Sequence, residues 1–97
     1  MLKMLGLFVA AAIIVSVPPA SAQCVQKRVV MYSAPGCVWC DKARNIARAN
    51  GFSLPERSAQ RAGYRAWPVF HIEGFNRPVE GYNRPALNAA FCTNKFI

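Results

Sequence analysis

The chain has 97 residues, with twelve Lys and Arg against four Asp and Glu, a formal net charge of +8 and 54% apolar residues. This length holds one small domain with a thin core. The basic residues fall singly rather than in a block, so the charge gives a general attraction to acidic partners or anionic surfaces and does not identify a nucleic-acid binder.

The chain opens with Lys3 and an apolar run over residues 4–17, which Pro18-Pro19 breaks and Ala20-Ser21-Ala22 follows. A positive start, a short apolar stretch and small residues before a cut are the pattern of a secretory signal peptide over residues 1–22. A spanning helix needs about 20 apolar residues, and this run is shorter and ends in prolines. The mature chain is expected to begin at Gln23, to be periplasmic or secreted, and to carry no membrane span. Its domain, residues 23–97, keeps eleven basic residues against four acidic ones, a charge of +7.

Val29-Val30-Met31-Tyr32 is apolar and β-rich and reads as a central strand covered on both faces. Ala34-Pro35-Gly36 is a turn. Residues 37–50 are mostly good helix formers, and Asn50-Gly51 supplies a stop. Cys40, Ala43, Ile46 and Ala47 share the inward face of that helix, whereas Lys42, Arg44 and Arg48 point elsewhere. Arg44 and Arg48 read as solvated, and Asp41 as an ordinary acid at a helix start, with a proton relay to Cys40 as the sharper alternative. Residues 52–54 read as a short second strand, which Pro55 confines to an edge. Residues 58–62 offer at most a turn or two of helix. Val69-Phe70-His71-Ile72 is the third strand, with His71 as a strand-face residue rather than a base. Residues 77–80 return as a fourth strand, again at an edge because of Pro78. Asn83 as N-cap and Pro85 in the first turn predict a final helix through about Phe91.

Four cysteines are placed unevenly: Cys24 and Cys92 lie far apart, Cys37 and Cys40 are two residues apart. In an exported chain, the distant pair closes a long loop and would add roughly 2–4 kcal/mol as a structural disulfide. The close pair constrains almost nothing as a staple. At a strand-to-helix junction Cys37 meets the unpaired N–H groups and positive dipole end of the helix, which favour a thiolate. Cys40, one turn deeper, can resolve a mixed disulfide. Zinc wants a second pair of ligands at comparable spacing. Cys24, Cys92 and His71 form no such knuckle, so no metal site is expected.

Three stretches, "VVMYSAPGCVWCDKA", "AWPVFHIEG" and "EGYNRPAL", occur in an order that resembles the glutaredoxins of the thioredoxin superfamily, over roughly residues 27–91. The resemblance implies that Cys37 is the nucleophile, that Cys40 resolves, and that Pro68 follows a cis bond and faces the dithiol. The Trp67 backbone would then pair with a bound peptide or glutathione as a short strand. Tyr32, Trp39, Trp67, Pro68, Gly81 and Tyr82 are the implied substrate-binding residues, with Tyr32 in the core and its hydroxyl near the site. Two features depart from the family: Ala34 stands where many members have Lys, and Glu80-Gly81-Tyr82-Asn83 where they have Gly-Gly-x-Asp. The last stretch is closer to glutaredoxin-like redoxins reduced by thioredoxin reductase.

Only 17 residues, 51–67, separate the first helix from Pro68, too few for a full strand and helix with their connections. The implied fold is an abbreviated thioredoxin fold: α/β, a four-stranded mixed sheet flanked by helices, with the second strand and helix shortened. The expected function is that of an exported thiol–disulfide oxidoreductase, a monomer with no bound cofactor. Its expected partners are disulfide- or thiol-containing proteins, with glutathione as a candidate redox partner. The alternatives are a non-catalytic interaction module and a metal or iron–sulfur carrier.

Overall fold

A computed structural model describes residues 24–97. The signal segment expected over residues 1–22, and Gln23, lie outside the described residues. The elements run β1 (Val29–Ser33), α1 (Val38–Ala49), β2 (Glu56–Ser58), β3 (Val69–Ile72), β4 (Val79–Glu80) and α2 (Arg84–Phe91). The strand order is β2-β1-β3-β4, with β1 parallel to β2 and antiparallel to β3, and β3 antiparallel to β4. A parallel neighbour requires a crossover, and α1 provides it. The described residues therefore form an α/β fold, with a mixed open sheet and two helices.

Strand alternation sends Val29 and Met31 of β1 to one face. The register sets them against Ile72 and Phe70 of β3. Both helices cover that face, α1 with Cys40 and Ala43, α2 with Leu87, Ala90 and Phe91. The small side chains of α1 need little depth. The space they leave is filled by Phe96 and by Phe52, which stacks on Phe91 with ring centroids 4.9 Å apart.

Phe52 thus belongs to the core and not to the sheet, which corrects the strand expected over residues 52–54. The ladder resumes only at Pro55, whose carbonyl accepts from the Met31 N–H at 2.9 Å. A proline can accept in a ladder but cannot donate. The strand that follows, Glu56-Arg57-Ser58, is polar and exposed. Arg44 holds this edge to α1: its Nε and Nη2 lie 2.6 and 2.7 Å from the two Glu56 carboxylate oxygens. Its Nη1 reaches Asp41 at 2.5 Å, and the Ser33 hydroxyl donates to Glu56 at 2.9 Å. Arg44 is accordingly not a merely solvated charge, and Asp41 is engaged by Arg44. The Arg44 hydrogen bonds hold the Glu56 carboxyl below its ordinary range, against a smaller opposing effect of burial.

No helix forms between β2 and β3. Residues 59–63 make hydrogen-bonded turns, in which the Ala62 N–H donates to the Ser58 carbonyl at 3.2 Å and the Tyr64 N–H to the Ala59 carbonyl at 2.9 Å. Among the described residues, the second sheet face is consequently covered by loop side chains. Tyr64 packs edge-on against Tyr32, and its hydroxyl lies 2.6 Å from His71 Nε2. Central strand β1 is thus covered by helices on one face only, with Val30 and Tyr32 half-buried on the other. The fourth strand is shorter than expected, two residues after Pro78, and sits at the opposite edge.

The Asn83 side chain caps α2 by accepting from the Ala86 N–H, and Cys92 ends it at φ 55°. Cys92 bonds to Cys24 across 68 residues, with Cα atoms 6.0 Å apart. The same segment is tied by the Lys27 N–H, which donates to the Ala90 carbonyl at 2.8 Å, and by Gln26 Nε2, which donates to the Phe91 carbonyl at 3.2 Å. No helix among the described residues is long and apolar enough to cross a membrane.

Candidate functional site

β1 delivers the chain into the turn at Pro35-Gly36, and Cys37 then takes an extended conformation as the N-cap of α1. Its sulfur accepts from the Cys40 N–H at 3.1 Å, so the side chain occupies the position a capping oxygen would fill. Cys37 and Cys40 form a disulfide with Cα atoms 5.2 Å apart. Cys37 retains 7% of its surface and Cys40 none. The two sulfurs are therefore unequal. On reduction, a negative charge on Cys37 faces unpaired helix N–H groups, whereas Cys40 is sealed beneath it.

Beside this helix start runs a groove of about 570 Å³, bounded by Trp39, Trp67, Pro68 and Tyr82 among others. The Trp67–Pro68 peptide is cis. The Pro68 carbonyl accepts from the Gly81 N–H at 2.8 Å, which joins the entry of β3 to the exit of β4. Gly81 stands at φ 80°, a left-handed conformation that favours glycine. That turn carries Tyr82 to Trp39, with ring centroids 5.1 Å apart and planes tilted by 31°. Trp39 is 52% exposed and forms an aromatic wall. The Lys42 ammonium sits 5.4 Å above the Trp39 ring and 5.7 Å above the Tyr82 ring, within cation–π reach of both. Burial pushes the Tyr82 phenol above its ordinary value, against a smaller effect of Arg84. Its oxygen is buried without a hydrogen-bond partner. The Trp67 N–H and C=O take part in no backbone hydrogen bond among the described residues.

Five of the expected substrate-binding residues, Trp39, Trp67, Pro68, Gly81 and Tyr82, thus line one groove. Tyr32 does not, which corrects its expected place in the core with its hydroxyl near the site. Because Met31 faces the helices, Tyr32 must face the other way. Its ring packs there against Tyr64 and His71, the latter centroid 4.5 Å away. Lys42, Arg84 and Ile97 also line the groove and were not singled out as site residues from the sequence. Lys42 had a signal: three residues after Trp39, it shares that residue's helix face. Arg84 follows the Asn83 cap directly, and nothing in the pattern marks Ile97. Among the described residues no three of His, Cys, Asp and Glu gather as a set of metal ligands.

Comparison with known protein families, with curated proteins and with solved structures returned no match.

Proposed function

We propose that the protein is an exported thiol–disulfide oxidoreductase with an abbreviated, glutaredoxin-like thioredoxin fold. The observation that carries this reading is the inequality of the two cysteines at the start of α1: Cys37 caps the helix and keeps 7% of its surface exposed, whereas Cys40 is fully enclosed. The order of the three sequence stretches and the sheet order β2-β1-β3-β4 support the fold assignment.

In the reducing direction, the Cys37 thiolate attacks one sulfur of a substrate disulfide. A Cys37–substrate disulfide forms, and the other substrate sulfur leaves as thiolate and takes a proton from solvent. Cys40, losing its proton, then attacks Cys37 Sγ. The Cys37–Cys40 disulfide forms and the second substrate thiol departs, so two electrons pass from the protein to the substrate. The same steps in reverse oxidise a substrate dithiol. The direction in the cell follows from the reduction potential against that of the compartment. Trp67, with its backbone groups unengaged, pairs with the extended substrate as a short strand, and the aromatic walls of Trp39 and Tyr82 flank it. Thiol- or disulfide-bearing proteins are the proposed partners of a monomeric enzyme in the periplasm or outside the cell. Glutathione is a proposed redox partner.

The test is exchange with a disulfide peptide. The parent protein should react well above the rate of an equal concentration of free dithiothreitol, Cys37→Ser should be inert, and Cys40→Ser should accumulate a covalent adduct. A parent protein no faster than the free dithiol refutes the reading and leaves a non-catalytic module in its place.

A further inference from the structure

The groove bordered by Trp39, the residue before Cys40, is aromatic in its walls. Among the described residues, the charged side chains that line it are Lys42 and Arg84. Ion pairs among the described residues engage Arg28 and Arg44 and leave Lys42 and Arg84 unpaired. Lys42 is not free to wander: its ammonium is held over two ring faces at 5.4 and 5.7 Å, two residues after Cys40 on the same helix. A cation already positioned at a groove wall loses less freedom when an anion docks against it. Arg84 follows the cap of α2, two residues after Tyr82, and lines the same groove. The two cations therefore come from different elements and border the same space, next to Trp39, one of the two residues between the cysteines.

We infer that this groove selects polypeptide substrates carrying Asp or Glu within a few residues of the reacting cysteine, with Lys42 and Arg84 as the residues that make the selection. The inference rests on the oxidoreductase reading and adds the substrate class to it. A volume of about 570 Å³ lies within the usual range of ligand sites. The carboxylates are contributed by side chains of an extended peptide, which the unengaged Trp67 backbone can align. The chemistry is unchanged: one disulfide is reduced, one dithiol is oxidised, and no third reactant enters.

The experiment compares three peptides in single-turnover exchange with the full protein, followed by tryptophan fluorescence and run in whichever direction the exchange proceeds. Two are matched disulfide peptides flanked by Asp and Glu or by Lys. The third is a neutral peptide in mixed disulfide with glutathione. The acidic peptide should react roughly tenfold faster than the basic one at low salt, two exposed charge pairs each contributing a few-fold. The ratio should shrink toward two- or threefold in about 0.5 M salt, because screening weakens exposed pairs. The double variant Lys42→Gln/Arg84→Gln should bring the ratio close to one, and Lys42→Glu should favour the basic peptide. Where a variant does not fold, the salt dependence of the parent decides alone. Equal rates for the acidic and basic peptides overturn the inference and leave the oxidoreductase reading intact. A glutathionylated neutral peptide that outpaces the acidic one also overturns it, since the groove is then a tripeptide site. No exchange with any peptide overturns both.

Discussion

Replacing the Cys24–Cys92 link by serines should cost the protein much of its stability while leaving its dithiol in place. The link closes a loop of 68 residues, nearly the whole described domain. On loop-closure entropy alone such a bridge is worth about 4.4 kcal/mol at room temperature. The folded variant recovers part of this, because residues 24–28 are exposed and can fray once untied. The Lys27–Ala90 and Gln26–Phe91 hydrogen bonds oppose that fraying. The expected net loss is about 2–4 kcal/mol, which for a domain of this size lowers Tm by roughly 10–25 °C. Thermal melts by circular dichroism and urea titrations of the parent and Cys24→Ser/Cys92→Ser proteins measure it. The m-value should rise as well, because an untied unfolded chain exposes more surface. A variant within about 0.5 kcal/mol of the parent, after peptide mapping has verified the parent's bridge, would refute the reasoning.

Two other outcomes probe the fold. Glu56 is held below its ordinary value, first by the Arg44 hydrogen bonds, so its pairing stabilises the protein fully above about pH 5 and is lost as pH falls through the depressed folded value. Glu56→Gln should therefore be less stable than the parent by about 1 kcal/mol at neutral pH, and the difference should shrink progressively as the pH is lowered into the acid range, as read by urea titrations across that range. Phe91→Ala removes a fully buried ring that packs against both Phe52 and Phe96 and should cost about 3–5 kcal/mol, enough to unfold a substantial fraction of so small a domain at 37 °C. A cooperative melt close to that of the parent would show that the phenylalanine cluster does not carry the core.

The elements that were legible are those whose packing and chemistry agree. Val69–Ile72 is a run of large apolar residues after a proline, and both its ends are as read from the sequence. The final helix shows its cap at Asn83 and its proline in the first turn. β2 was hidden because it buries nothing: Glu56, Arg57 and Ser58 hold their place through backbone pairing and one arginine, and neither leaves a periodic trace. Phe52 misled in the opposite way, an apolar residue next to Pro55 that serves the core and not the sheet. At the candidate site, the resemblance brought out Trp39, Trp67, Pro68, Gly81 and Tyr82, residues on three separate elements or turns that no local pattern joins. Tyr32 failed on parity alone, since its neighbour Met31 had already taken the covered face. Lys42 shares a helix face with Trp39, but that spacing alone does not distinguish a charge facing water from one held over an aromatic wall.

The central claim is that Cys37, and not Cys40, is the attacking sulfur, and limited alkylation tests it most directly. The fully reduced protein is treated with substoichiometric iodoacetamide near neutral pH, and the adduct is mapped by mass spectrometry. Helix-capping geometry and the difference in exposure require the label to fall predominantly on Cys37. Cys37 should also keep reacting well below pH 8, the range in which an ordinary thiol of pKa about 8.5 becomes slow. Preferential labelling of Cys40, or equal labelling of both with the pH profile of a free thiol, would contradict the account.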